Sequence, residues 1–417
     1  MRVSHGALIT GVVPSLARSP AFRSIAVTFV TLGLTYGIWY AYSVFLVALL
    51  REFGWSRSVV SGAFSVFALT HGLCGIWLGR LGDRIGPRRI VLAGGVLLAI
   101  ALPLDSIVER PWQLYLTFGV LTGVGVAAAG WVPAVILVQR WFPHRVGFAL
   151  GATSAGIGMG ITLVVPFTQL LIDLYGWRAA FRVLGALMIL WVIPATYWLV
   201  HDPLRGPRRS AAPSEPTGRG DITLAQAARQ RRFWLLGIAQ VLGNMGSQML
   251  LVHQAAYLVD HGIAAIVAAS VVSVVGLTSI AGKTGGGWLS DRLGREITYT
   301  LGTTATVMSV GALGLIALSP HAGLAYVYAV LIGLGYAVTA PLMPAIISDL
   351  FRGRHFGAIF GALHVANALG GALGPWLGGR IFDATGTYRA AFIAGIVTAV
   401  ISTVFLWMVA PRRARAG

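Results

Sequence analysis

The chain has 417 residues, of which 56% are hydrophobic and only 11% charged, less than half the charged fraction usual in a soluble domain. Its net charge of +18 comes from 31 basic against 13 acidic residues. With so few charges in all, that excess fits short loops beside anionic lipid and excludes a nucleic-acid surface. The single cysteine, Cys74, excludes a disulfide framework and a cysteine metal cluster.

Residues 1–23 carry arginines but no cleavable signal pattern. Twelve apolar segments follow, at 24–50, 59–79, 90–108, 112–139, 147–172, 180–200, 233–259, 263–289, 297–318, 322–349, 356–382 and 388–410. Each is near the ~20 residues that span a bilayer as a helix. Backbone exposed to lipid must satisfy its own hydrogen bonds, so all twelve are predicted helices of an all-α membrane protein. With the N-terminus placed in the cytoplasm, 23 arginines fall on the inner side and seven outside. The positive-inside rule then puts both termini in the cytoplasm of a multi-pass cell-membrane protein, expected in a bacterial inner membrane.

The chain repeats itself. "GRLGDRIGPRR" at 79–89 answers "GWLSDRLGREI" at 287–297, and Asp83 and Asp291 stand 208 residues apart. Phe142 and Phe351, and Arg145 and Arg354, are each 209 apart, and "GWRAAF" at 176–181 answers "GTYRAAF" at 386–392. Three matches in one order at nearly one offset predict two pseudo-symmetric six-helix halves, 1–204 and 233–417. The linker between them, 205–232, is rich in Pro, Ser, Gly and Arg and is expected to be a flexible cytoplasmic loop with one short amphipathic helix. Halves so related enclose a site near the midplane, reached alternately from each side.

The segment "GRLGDRIGPRR" resembles the loop 2–3 signature of the major facilitator superfamily, with Pro87 where a basic residue is preferred. Within that superfamily "EFGWSRS" (52–58), "RWFPHRVGFALGATSAGIG" (140–158) and "DLYGWRAAF" (173–181) are similar to the monocarboxylate transporter and oxalate/formate antiporter branches. The acidic-Gly-Gly-Trp signature that opens the first helix of animal monocarboxylate transporters is replaced by "TYGIWYAYSVF". The resemblance implies the twelve-helix major facilitator fold and secondary transport by alternating access. The repeated loop supplies gating candidates Asp83, Arg84, Arg88, Asp291 and Arg292. An aspartate there can accept from a helix N-terminus or pair with an arginine; the competing reading is topology alone.

Lys283 is the one lysine, against thirty arginines. The letters GKT around it are not a nucleotide-binding loop, because the glycine required five residues before Gly282 is Leu277. Lys283 lies eight residues before Asp291, about 12 Å from the cytoplasmic end of its helix. His364, on the oppositely running eleventh helix, is at about the same depth, and Asn367 follows one turn on. Resemblance to the carboxylate-binding branches places a substrate-binding cation four residues before a glycine, which Lys283 before Gly287 matches. A second cation of the antiporter is replaced by Asn367, which favours a monoanion over a dianion.

Further cavity candidates are Tyr36 and Tyr40 on the first helix and Trp131 before Pro133 on the fourth. Asn244 and Gln248 share a polar stripe with Gln240 on the seventh, and Tyr336 lies on the tenth. For each the competing reading is packing, and for Lys283 it is snorkelling to the headgroups. His71 reads as structural. All thirteen carboxylates fall near one side or the other, Glu52, Asp105, Asp260 and Asp383 among those outside. The fixed charge of the cavity is therefore positive, and an anion is its natural partner.

The expected function is secondary transport of a small organic anion, a monocarboxylate, by proton symport or anion exchange. Membrane lipid is the other expected partner; no cofactor, metal or nucleic acid is expected. Efflux of a hydrophobic drug or neutral metabolite, and a non-transporting membrane sensor, are the competing readings. No nucleophile, metal cluster or acid–base pair within the membrane segments points to an enzyme.

Overall fold

The computed structural model describes residues 19–142, 146–202, 222–351 and 356–409. They are almost wholly helical, and twelve helices among them are long and apolar enough to cross a bilayer. The first six are α1 (Pro20–Phe53), α2 (Arg57–Ile85), α3 (Pro87–Asp105), α4 (Pro111–Trp141), α5 (Val146–Tyr175) and α6 (Trp177–Leu199). The second six are α7 (Arg231–Asp260), α8 (Ala265–Leu293), α9 (Arg295–Leu318), α10 (Ala322–Leu350), α11 (Phe356–Thr385) and α12 (Arg389–Val409). A short helix, Leu224–Ala228, precedes α7 and begins with a capping box between Thr223 and Gln226. Most of the linker, residues 203–221, lies outside the description, as do the repeated Arg145 and Arg354.

The helices outrun their apolar stretches because local signals, not hydropathy, end them. The hydroxyl of Ser19 accepts from the Phe22 N–H at 3.1 Å, and Pro20 opens α1 at a position whose N–H has no helical partner anyway. At the other end Gly54 takes φ 62 and returns its N–H to Leu50, a left-handed cap that suits glycine. The apolar stretch at 24–50 therefore becomes a 34-residue helix.

The sequence repeat recurs in the backbone. The turn after α2 is made by Gly86 at φ 92 and the turn after α8 by Gly294 at φ 100. Pro166 interrupts α5 and Pro375 interrupts α11. α4 breaks at Gly130 and α10 at Val338, each just before a proline-containing stretch that closes the helix. The first part of α4 also carries a π-helical segment, Tyr115–Thr122. Asp105, assigned to the outer side from sequence, is the last residue of α3 but is fully buried, its carboxylate accepting from Thr122 at 2.9 Å.

Within the first half α1 lies along α5, and within the second α7 lies along α11. Small residues permit this, as they do wherever lipid gives no hydrophobic drive to association. A Cβ on Gly33 of α1 would stand 3.1 Å from the Gly156 carbonyl of α5. The halves meet along two seams, α2 on α11 and α5 on α8.

Candidate functional site

The two seams are tight at mid-depth and part toward the arginine-rich end. On the first, a Cβ on Gly72 of α2 would collide with Ala368 of α11. On the second, Gly276 of α8 packs on Ile161 of α5, where a Cβ would come within 2.7 Å. Gly151, two turns along α5 on the same face as Gly158, meets nothing. Gly357 and Gly361 of α11 likewise face open space. The result is a cavity between the halves, open at the end that carries the repeated loops.

Lys283 stands one turn beyond Ser279 and Ile280 on the face of α8 that meets α5, where the seam begins to part. It is partly buried and has neither hydrogen bond nor ion pair among the described residues. Ser279 in turn lies near the Tyr336 hydroxyl of α10, which meets that of Tyr40 of α1 at 3.5 Å. The tyrosine pair thus closes the cavity a turn deeper than the ammonium. Tyr36, one turn from Tyr40, stacks on Trp39 at 5.7 Å and lies against the backbone of Trp131 where α4 breaks.

On the facing wall His364 is exposed to the cavity and stacked on Phe360 at 6.1 Å. It lies close enough to His71 of α2 for the two rings to interact electrostatically. His71, a structural histidine by sequence, also packs edge-on against Trp39 at 4.8 Å. No hydrogen bond or ion pair joins Lys283 to His364 or Asn367 among the described residues.

The polar stripe of α7 divides its work. The Asn244 amide donates to the backbone carbonyl of Asn367 at 2.7 Å, so it ties α7 to α11 inside the second half. Gln240 and Gln248 are buried, each with one amide atom lacking a partner. Gln248 lines a small space with Trp39, Tyr40 and Ser43 across the two halves.

Arg88, Asp291 and Arg292 of the two repeated loops each make a contact within their own half. Arg88 reaches the carbonyls of Thr196 and Tyr197 on α6, and its N–H donates to Asp202 at 3.2 Å. Asp291 pairs with Arg295 at 2.8 Å, and Arg295 with Asp349 at 3.3 Å. Arg292 lies 4.0 Å over the Trp288 ring. Arg84 is exposed and engaged; the side chain of Asp83 is outside the described residues.

The opposite end is closed by residues that sequence reasoning did not single out. Arg57, at the start of α2, donates both bonds of one amino group to Asp260 of α7, at 2.7 and 2.8 Å. Its backbone N–H and that of Ser58 donate to the two carboxylate oxygens of Asp383 on α11, both at 2.9 Å. The N-terminus of α2 is therefore capped by a carboxylate from the other half. The guanidinium also packs 3.9 Å over Phe382 and donates to the Tyr388 hydroxyl at 2.7 Å. The available signal was one of the few arginines on the arginine-poor side, facing two aspartates assigned to that side.

The sequence profile described as "Major Facilitator Superfamily" matches residues 28–327 and 236–417. Similar proteins include monocarboxylate transporter 4 of Mus musculus, 26% identical over 91% of this chain and 80% of that protein. Monocarboxylate transporter 12-B of Danio rerio is 28% identical over 93% and 86% of the two chains. Monocarboxylate transporter 11 of Mus musculus is 29% identical over 93% and 86%. Among solved structures, a bacterial homologue of the human lysosomal transporter Spinster, in an inward-facing and occupied conformation, superposes with a TM-score of 0.72. It is 18% identical, over 92% of this chain and 96% of that one, and the likeness concerns the fold.

Proposed function

The chain belongs to the major facilitator superfamily, a family of transporters and not enzymes, and from that premise we propose that it moves small monocarboxylate anions across a cell membrane by alternating access. One observation carries the choice of an anion. Lys283 places a single ammonium on the wall of the cavity with no counterion among the described residues. A charge so placed is costly unless something compensates it. A carboxylate entering from the open end supplies the counterion, and the tyrosine hydroxyls of Tyr40 and Tyr336 lie one turn deeper to receive its other oxygen or its substituent. The names of the similar proteins agree with this chemistry. The positive-inside count makes the open end cytoplasmic, so this conformation is inward-facing, in a bacterial inner membrane. The halves that rock against each other are 1–204 and 233–417, joined by 205–232. Proton symport and anion exchange are the two modes of coupling compatible with this cavity.

Binding uses Lys283, His364, Tyr36, Tyr40, Trp131, Asn367, Gln248 and Tyr336, with Asn244 holding α11 in register. The repeated loops, through Asp83, Arg84, Arg88, Asp291 and Arg292, close the inner end in the alternate state. The test is uptake of labelled carboxylates into proteoliposomes containing the purified protein, with and without a pH gradient. Saturable uptake of a monocarboxylate is expected. Uptake or efflux confined to neutral hydrophobic compounds would replace this reading.

A further inference from the structure

We propose that His253 of α7 is a proton-binding site that sets the strength of the outer closure between the halves. His253 is fully buried two turns before Asp260 on α7. Gly378 of α11 makes the room: a Cβ there would stand 3.2 Å from the ring Nε2. Nε2 lies 2.8 Å from the backbone carbonyl of Pro375, and Nδ1 lies 3.0 Å from the Tyr388 hydroxyl. A carbonyl only accepts, so Nε2 carries hydrogen, and in the neutral ring Nδ1 is an acceptor. Tyr388 therefore donates to Nδ1. Its oxygen remains free to accept from Arg57, which does so at 2.7 Å. Burial keeps the Tyr388 hydroxyl protonated well past the ordinary tyrosine range, so it retains the proton it donates.

From His253 outward the links are therefore Tyr388 donating to Nδ1, Arg57 donating to the Tyr388 oxygen, and Arg57 donating across to Asp260. A proton taken up at Nδ1 reverses the first link. The imidazolium now donates to the Tyr388 oxygen, which already accepts from Arg57, and the hydroxyl proton loses its acceptor. The groups facing His253 are Tyr388 between α11 and α12, Arg57 of α2 and Asp383 of α11, with Tyr257 and Asp260 one and two turns further along its own helix. The added positive charge therefore opposes Arg57, the cation of the closure. Protonation loosens the contact of Arg57 with the second half and favours opening of the outer end. Histidine is the side chain able to make this change between about pH 5 and pH 8.

The inference goes beyond the transported substrate, and its test reads a distance, so the identity of the anion does not enter it. Spin labels at Glu109→Cys and Ser319→Cys, in a Cys74→Ser background, report the separation of the outer ends of the two halves in the full-length reconstituted protein. In the parent, acidification across the histidine range is expected to raise the long-distance population severalfold. His253→Gln donates to Pro375 and accepts from Tyr388 as the neutral ring does. It is expected to keep the short distance of the parent at neutral pH and to lose the acid response. Tyr388→Phe, which cuts the link without touching the histidine, is expected to lose that response too, and it carries the test if the glutamine variant does not fold. A parent whose distances ignore pH, or either variant following the parental curve, overturns the proposal.

Discussion

The Tyr40 hydroxyl on α1 and the Tyr336 hydroxyl on α10 meet at 3.5 Å although 296 residues separate them in the chain. Each half supplies one of them, and Tyr336 also lies near Ser279, one turn from Lys283. The pair is therefore a contact between the halves, one that the proposed alternating access would have to break or slide. Tyr40→Phe and Tyr336→Phe are expected to raise the KM for the transported anion by about three- to tenfold, the loss of roughly one hydrogen bond. Expression and helix content should be unchanged. Kinetic uptake by the two variants checks this; parental KM values in both would make the pair a packing contact.

Lys283→Gln is expected to remove saturable anion uptake while the protein still inserts and purifies. Loss of one charge-assisted contact corresponds to about 10- to 100-fold in affinity. Lys283→Arg should retain part of the activity, because charge survives while the point-like ammonium becomes a planar fork. Equilibrium binding and uptake measured together separate affinity from turnover. Parental behaviour of the glutamine variant would assign the lysine to the headgroup region.

His364 sits on the cavity wall within electrostatic reach of His71. Replacing either is expected to change the pH profile of uptake, and His364→Gln should flatten or shift it. The rate at the optimum is expected to fall less than tenfold, because the fixed charge at Lys283 remains. A mutant profile that overlays the parental one would leave His364 as a partner of Phe360 only.

The outer closure rests on Arg57 with Asp260 and on Asp383 at the start of α2. The Arg57 side chain is 13% exposed and that of Asp260 33%, so this pair lies between a surface ion pair and a buried one. Asp260→Asn is expected to weaken the closed state by ~1.5–3 kcal/mol, the range for hydrogen bonds to charged groups. The outward-open population should rise accordingly. Labelling of a cysteine placed on the outer half of the cavity wall reads that population. A labelling rate equal to the parent's would show that Asp383 alone holds the end shut.

Much of the architecture was legible because hydropathy, charge bias and repetition are properties of the chain itself. A bilayer fixes how long an apolar run must be, so twelve segments and twelve helices agree in number, with the ends moved by caps such as Ser19 and Gly54. The repeated loops and the match of "GWRAAF" with "GTYRAAF" marked the two halves, and Lys283 stood out as the one lysine among thirty arginines.

What only the tertiary structure decided is which helix faces touch, because the rotation of one helix against another is set by packing and not by the pattern along either. Sequence spacing put Asn244 on a stripe aimed at a cavity, and the fold spends it on the Asn367 carbonyl. The same spacing said nothing of Arg57 meeting Asp260, 203 residues away, or its backbone meeting Asp383, 326 residues away. Nor could it place His71 beside His364 or Tyr40 beside Tyr336. The contacts of Arg57, His71 and Tyr40 join the two halves, and a local pattern carries no information about a seam between halves.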